Sequence, residues 1–136
     1  MSSDETMSDL ARYAVGRPWW RWMRGMTWFA EDVVTGETYE GVIEHIGQHM
    51  DPLSPGIWRD GRPDLADPAT IGCLCALAEE VCGGPVDLYT SIVQGELWSS
   101  ACAFCIDVEG EGHTRAEALI ALMDSAHAAQ GGQDEQ

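Results

Sequence analysis

One segment of this chain has both of its ends marked for a helix. Asp67 can accept hydrogen bonds from the first free N–H groups of a helix, and Pro68 suits the first turn, where no N–H donor is needed. A Gly-Gly-Pro run at 83–85 stops the helix after about four turns. Between these ends the apolar residues recur at helical spacing and form one stripe. The sequence therefore predicts a helix over 68–82 with one side buried.

Outside this helix, strand signals alternate with helix signals. Gly36 and Gly95 permit tight turns between pairs of β-like segments, and Thr114 with Glu117 forms a capping-box sequence before a second amphipathic helix. These patterns predict the α+β class, with antiparallel strands and helices in a single domain. We expect a short N-terminal helix within 1–16, a domain over 17–128 and a disordered tail at 129–136. In chain order the domain contains a hairpin at 26–46, a loop at 47–66, the helix at 68–82, strands within 86–108 and a helix at 115–128.

The strand expected over 97–108 divides its side chains into two faces by its period of two. One face has larger residues such as Trp98, and the other has small residues such as Ala101 and Ala103. A helix could approach the small face closely. The Glu-Gly-Glu-Gly run at 109–112 is interpreted as a turn that leads into the last helix.

Composition favours a single soluble domain. A chain of 136 residues with 45% hydrophobic residues and six tryptophans can bury a core of its own. No apolar run approaches the roughly 18 residues that span a bilayer, and the polar N-terminus has neither the basic nor the apolar part of a signal peptide. We therefore expect a cytoplasmic protein whose five cysteines are thiols or metal ligands.

The charge of the chain is strongly one-sided. It has 23 acidic residues, seven arginines and no lysine, which gives a net charge of −16. Four arginines lie in an acid-free stretch between Asp9 and Glu31, so three arginines oppose 23 acids elsewhere. Such a field repels nucleic acid and anionic membranes and favours basic protein surfaces, although acidity can also serve solubility alone. The candidate residues for an acidic interaction surface are Glu79, Glu80, Glu109 and Glu111.

A segment that mixes arginine with tryptophan precedes the hairpin. Arg17, Trp19, Trp20 and Arg21 belong to the run Arg-Pro-Trp-Trp-Arg-Trp. Such a mixture can lie at a membrane interface or stack on bases, and it makes these four residues candidates for a docking surface. In the alternative interpretation, the tryptophans cover the core and the arginines pair with acids.

The cysteines show only parts of metal-binding patterns. On a helix, Cys73 and Cys75 point about 200° apart, so they cannot bind one ion together. Cys102 and Cys105 have the C-x-x-C spacing of a metal knuckle, but on a regular strand an offset of three places the two sulfurs on opposite faces. We therefore interpret the cysteines as small apolar core residues, with a zinc or redox site as the alternative.

Two histidines form a further candidate pair for a metal. His45 and His49 would share one face of a helix, but Gly47 and the β-like run before them argue against a helix there. The sequence shows no phosphate-binding glycine loop, no nucleophile elbow and no paired carboxylates. We therefore predict no catalytic residues, no cofactor and no bound metal.

Part of the chain resembles a known family. The run RPDLADPATIGCLCALAEEV, the Gly-Pro break after it, a two-strand segment with a tryptophan and the run TRAEALIALM are similar to the phage ABA sandwich domain of small uncharacterised phage and prophage proteins. The similarity covers about residues 64–123, and WRWMRGM before a hairpin is similar to the start of longer members. The resemblance implies an antiparallel sheet between helices and a phage or prophage gene. The family has no established catalytic residues, so the resemblance assigns none.

These features lead to three functional hypotheses. The first is a phage or prophage accessory protein in the host cytoplasm, not an enzyme, that binds a basic host or phage protein. It could inhibit a nucleic-acid-binding defence factor by occupying its basic groove. The second is a virion or assembly component that docks through residues 17–28, and the third is a metal protein or enzyme that uses His45, His49 and the cysteines. A ligand cleft near Trp58 and Trp98 is a further alternative.

Overall fold

The computed structural model describes residues 3–44 and 58–130. The chain groups into two compact units, Met1–Cys73 and Leu74–Gln136. The described strands form two three-stranded antiparallel sheets, β2-β1-β3 in the first unit and β4-β5-β6 in the second. The α+β class with antiparallel strands is thus confirmed, with the strands divided between two small sheets. The elements are α1 (Ser3–Val15), β1 (Thr27–Asp32), β2 (Thr38–Val42), β3 (Trp58–Pro63), α2 (Pro68–Cys82), β4 (Asp87–Val93), β5 (Glu96–Ala103), β6 (Val108–Gly112) and α3 (Arg115–Ala129).

The predicted hairpin is confirmed as β1 and β2, which are shorter than the expected segments. Gly36 lies in the connecting turn with a φ of +76°, which glycine adopts without strain. Gly41 of β2 pairs with Trp28 of β1, and a Cβ on Gly41 would lie 2.7 Å from Cζ2 of that indole. The absence of a side chain at Gly41 therefore lets the Trp28 ring pack directly on the neighbouring strand.

The loop predicted at 47–66 is wrong where β3 lies. The loop prediction rests on the prolines and glycines of this segment, and the β3 sequence, Trp-Arg-Asp-Gly-Arg-Pro, contains one of each and no apolar alternation. It pairs antiparallel with β1, and Arg59 lies opposite Glu31 with Nε 3.0 Å from Oε1. Backbone pairing and this cross-strand charge pair therefore stabilise the polar strand.

The start of α2 agrees with the capping prediction, and its bounds are those predicted. Oδ2 of Asp67 accepts a hydrogen bond from the backbone N–H of Thr70 at 3.2 Å and another from Oγ1 of Thr27 at 3.1 Å. Oγ1 of Thr70 accepts a hydrogen bond from the backbone N–H of Thr27 at 3.0 Å. The cap therefore also ties the first turn of α2 to the beginning of β1.

In the second unit, one predicted strand is two strands. The segment expected as a single strand over 97–108 ends as β5 at Ala103, turns through Phe104–Asp107 and returns as β6. Asp107 has a φ of +55° in this turn. The Glu-Gly-Glu-Gly run at 109–112, interpreted as a turn, belongs to β6, so that interpretation is wrong.

Helix α3 packs against β5 and β6. Its capping box is confirmed, because Oγ1 of Thr114 accepts from the backbone N–H of Glu117 and Oε1 of Glu117 accepts from the backbone N–H of Thr114. Ala101 and Ala103 are fully buried, as expected for a small face that a helix approaches closely. A Cβ on Gly110 would lie 2.3 Å from the backbone nitrogen of Leu122. The glycine therefore lets the backbones of β6 and α3 come into direct contact.

No helix in the described ranges is long and apolar enough to cross a membrane. The disordered tail was predicted for 129–136. Ala129 belongs to α3, and residues 131–136 lie outside the part of the chain that the structure describes.

Candidate functional site: an acidic sheet face

The sheet β4-β5-β6 has one face against α3 and one exposed face. In an antiparallel sheet, residues directly opposite each other point to the same side. The register pairs Asp87 with Cys102 and Cys102 with Glu109, so these three share one side, and this side points away from α3 because Gly110, the neighbour of Glu109, faces that helix. We call this surface the acidic sheet face and define it by Asp87, Tyr89, Glu96, Trp98, Cys102, Glu109, Glu111 and His113.

The charge of this face is uniformly negative. Asp87, Glu96, Glu109 and Glu111 are all exposed. The unit that contains them, Leu74–Gln136, has eleven acidic residues and a single arginine, Arg115. The acidic sheet face therefore lies in a strongly negative field with little internal compensation.

A half-buried tryptophan lies among the carboxylates. Trp98 of β5 donates a hydrogen bond from Nε1 to Oε1 of Glu111 on β6 at 3.2 Å. The His113 ring meets the indole edge-on, with centroids 4.8 Å apart and an interplanar angle of 83°. Nδ1 of His113 lies 3.8 Å from Oε1 of Glu96. These contacts hold the indole in place between two acidic side chains.

A tyrosine and a cysteine meet near the other end of the face. Oη of Tyr89 and Sγ of Cys102 are 3.0 Å apart, and Cys102 is only 6% exposed while Tyr89 is 51% exposed. The hydrogen bond with Cys102 raises the pKa of Tyr89, and the negative charges of Glu109 and Asp87 act in the same direction. The phenol therefore stays neutral at physiological pH and presents an uncharged aromatic ring beside two carboxylates.

This arrangement suits the recognition of cations on another macromolecule. Exposed carboxylates accept charge-assisted hydrogen bonds from guanidinium and ammonium groups, and aromatic rings attract the same groups through cation–π interactions. The described residues contain no group of three or more His, Cys, Asp or Glu side chains that could hold a metal ion.

The structure separates the four predicted acidic residues into two locations. Glu109 and Glu111 lie on the acidic sheet face, on either side of Gly110. Glu79 and Glu80 are exposed on α2, and Oε2 of Glu79 is 3.5 Å from the backbone nitrogen of Val86. Sequence analysis did not assign the other members to this face, since Trp98 and Cys102 were candidates for a ligand cleft and a metal site. Alternation along β4 places Asp87 and Tyr89 on one face, and alternation over 109–112 does the same for Glu109 and Glu111.

The arginine and tryptophan segment has a mixed environment. Trp19 is 8% exposed, so it lies with the buried residues, and Trp20 packs edge-on to it with centroids 6.4 Å apart. The guanidinium of Arg17 lies over the Tyr13 ring at 5.3 Å, and Arg21 is exposed. The burial of Trp19 agrees with the interpretation in which the tryptophans cover the core.

The two cysteines with C-x-x-C spacing lie in different surroundings. Cys102 belongs to β5 and contacts Tyr89, whereas Cys105 lies in the turn after β5 and is exposed. Sγ of Cys105 is 3.6 Å from the backbone oxygen of Cys82. The other metal candidates, His45 and His49, lie outside the described residues.

The two tryptophans that were candidates for a ligand cleft, Trp58 and Trp98, lie in different units. Trp58 packs edge-on against Trp28, with centroids 5.2 Å apart, and lies in the first unit, whereas Trp98 lies in the second. The first unit has a cavity of about 350 Å³ between α1 and its sheet. This cavity is lined by Met7, Ser8, Phe29, Thr38, Arg62, Pro63, Asp64, Leu65 and Ala66.

Comparisons with known proteins do not place the chain in a family. The sequence matches no protein-family model, and no curated protein and no solved structure is significantly similar to it. The resemblance to the phage ABA sandwich domain therefore stays a prediction that rests on the quoted residues.

Proposed function

We propose that this chain is a non-catalytic accessory protein that binds a basic protein partner through the acidic sheet face. The observation that supports this most is an exposed surface on which four carboxylates lie around a tyrosine and a tryptophan. Net charge alone would serve solubility equally well. A concentrated set of acids with aromatic rings between them is a more specific arrangement, because it matches arginine side chains in both charge and shape.

The geometry around Trp98 indicates how such a side chain would be bound. Glu111 already accepts a hydrogen bond from the indole Nε1 through Oε1, which leaves Oε2 for an incoming donor. A guanidinium that stacks on the half-buried indole would lie beside this carboxylate. The rigid strand pairing of β5 with β6 would keep the ring and the acid in this relation.

The setting of the proposal comes from the resemblance described above. In a phage or prophage gene product, the basic partner would be a host or phage protein in the host cytoplasm. A nucleic-acid-binding defence factor is one such partner, because its basic groove is built to bind phosphates and would also attract a dense row of carboxylates. The same field would repel nucleic acid itself.

Two double variants with the same net charge test the assignment. Glu109→Gln with Glu111→Gln removes two charges from the acidic sheet face, and glutamine keeps an oxygen that can accept from Trp98 Nε1. Glu79→Gln with Glu80→Gln removes two charges from α2. Binding of a short arginine-rich peptide, measured by titration calorimetry at low salt, should weaken about fivefold to tenfold in the first variant and less than about twofold in the second.

The results for the two double variants distinguish binding at the acidic sheet face from attraction by the net charge of the whole chain. If both double variants weaken binding equally, the peptide responds to the total charge and the proposed site is wrong. If neither changes the affinity, the acids of this face take no part in binding. In an infected-cell lysate, capture of a basic protein by the wild type but not by the sheet-face variant would support the proposal. Capture of phage structural proteins by both would instead favour an assembly role.

A further inference from the structure

The second unit has an edge strand without the usual protection. Among the described residues, β4 pairs only with β5, and its other edge has no strand beside it. Residues 89–93 are all exposed. Natural edge strands are generally blunted by lysine, proline, bulges or short length, yet β4 has seven residues, no proline and no lysine, and its pairing with β5 is unbroken. This edge can therefore accept another strand.

The hairpin turn determines which backbone groups point outward. Gln94 and Gly95 have φ values of +53° and +83°, as in a two-residue type I′ turn. In such a hairpin the closing pair, Val93 with Glu96, is hydrogen bonded, and hydrogen-bonded pairs alternate along the ladder. The N–H and C=O groups of the residues between these pairs therefore point away from β5. The outward-pointing residues are Leu88, Thr90 and Ile92.

We propose that β4 pairs antiparallel with β4 of a second copy of this chain, about a two-fold axis at Thr90. In this register Thr90 lies opposite its own counterpart, and Leu88 lies opposite Ile92 of the other copy. Every outward N–H and C=O of the three residues then finds a partner. Ile92, which is 65% exposed in the single chain, would be covered by Leu88 of the second copy. The strand is thus complementary to itself in both hydrogen bonding and apolar contact.

No two charged residues of the paired strands lie opposite each other in this register. Asp87 is the only charged residue of β4, and it would lie opposite Val93 of the other copy. The two Asp87 carboxylates would be six residues apart along the strands, which is about 20 Å. That separation is well beyond the Debye length of about 8 Å at physiological salt. Helix α3 packs mainly on β5 and β6, so it leaves this edge open.

The long-range repulsion between two chains of charge −16 gives the dimer a distinctive salt dependence. Salt screens this repulsion, so dimerisation should strengthen as salt is added, whereas binding of a basic peptide to the acidic sheet face should weaken. Two strands of this length bury less than a standard interface, so we expect a concentration-dependent dimer in the micromolar range. In the dimer, the two acidic sheet faces would form one continuous surface.

Sedimentation equilibrium of the full chain tests the pairing. The mass should rise from 14.8 kDa toward twice that value with concentration up to about 1 mM, and this rise should begin at lower concentration in high salt. Ile92→Lys should weaken the dimer at least about tenfold. The matched control is Leu97→Lys, since Leu97 is the direct cross-strand neighbour of Ile92 and is 60% exposed, but lies on the inner strand β5.

Amide hydrogen exchange of the wild type gives a test that needs no variant. At high concentration, the amides of Leu88, Thr90 and Ile92 should exchange more slowly than at low concentration, whereas those of Tyr89 and Ser91, already bonded to β5, should change little. A mass of 14.8 kDa under all conditions would overturn the proposal. A dimer that Ile92→Lys and Leu97→Lys weaken equally, or one that leaves the three amides unprotected, would also overturn it.

Discussion

Replacement of Gly110 by alanine tests how closely α3 packs against the side of the sheet opposite the acidic sheet face. Gly110 lies on β6 between Glu109 and Glu111 and faces α3. A Cβ at this position would lie 2.3 Å from the backbone nitrogen of Leu122 and 2.4 Å from the backbone oxygen of Ala118. Non-bonded heavy atoms in ordinary contact are about 3.5 Å apart, so β6 and α3 would have to separate by roughly 1 Å.

The free-energy cost of Gly110→Ala depends on which atoms the new Cβ would meet. They belong to the backbone of a helix, so no side-chain rotation can relieve the contact. Separation would also loosen Leu119, Leu122 and Met123, which are fully buried. Overpacking costs about 1–3 kcal/mol and occasionally more, and this case belongs at the upper end. We therefore expect Gly110→Ala to lower the free energy of unfolding by about 3 kcal/mol, or the urea midpoint by about 1.5 M.

Urea unfolding followed by circular dichroism measures this effect, and Gly72→Ala is the matched control. Gly72 lies within α2, and a Cβ there would meet nothing within 4 Å. Alanine at an open helical position should raise stability by about 0.5–1 kcal/mol. If Gly110→Ala keeps the wild-type midpoint, the close contact of β6 with α3 is wrong. If Gly72→Ala is as destabilising as Gly110→Ala, the effect is not specific to that contact.

Two further predictions concern polar contacts, one inside each unit. Asp60 accepts hydrogen bonds from Arg12 and Arg62, and the bond from Arg12 holds the pKa of Asp60 below the usual 3.8. Asp60→Asn should therefore lower the free energy of unfolding by about 1–2 kcal/mol, measured by urea unfolding at pH 7. Asparagine tolerates the φ of +56° at this position, and the cost should disappear as the pH falls through the lowered pKa; an undiminished cost at pH 2 would contradict the role of charge. Thr114→Ala removes the N-cap of α3 and should lower the free energy of unfolding by about 1 kcal/mol in thermal unfolding. The control, Ser125→Ala at an exposed position of the same helix, should lower it less. Equal effects would argue against a stabilising cap.

The helices show how far local signals reach. The predicted range 68–82 agrees with α2, and α3 ends one residue beyond its predicted range, because the signals that start these helices lie within a few residues of each other. Asp67 bonds Thr70, and Thr114 and Glu117 bond each other. Each contact joins residues three positions apart, so it can be predicted from the local sequence.

The strands show where local signals fail. β3 has no apolar alternation and exists because β1 offers it backbone partners and Glu31 offers Arg59 an opposite charge, 28 positions away in the chain. β6 contains two glycines, which in isolation indicate a turn. They lie in a strand because β6 pairs with β5, and these positions are glycine because α3 approaches so closely that no side chain fits there. In both cases the deciding contact is distant in sequence.

Some features of the acidic sheet face follow from local sequence, and others depend on tertiary contacts. The sequence by itself determined the negative charge, the α+β class and the two capped helices, because composition, period and capping are local properties. It also included Glu109 and Glu111 among the acidic candidates. Only the tertiary structure decided that they share a face with Asp87, Tyr89 and Trp98, because strand register joins residues that are far apart in the chain.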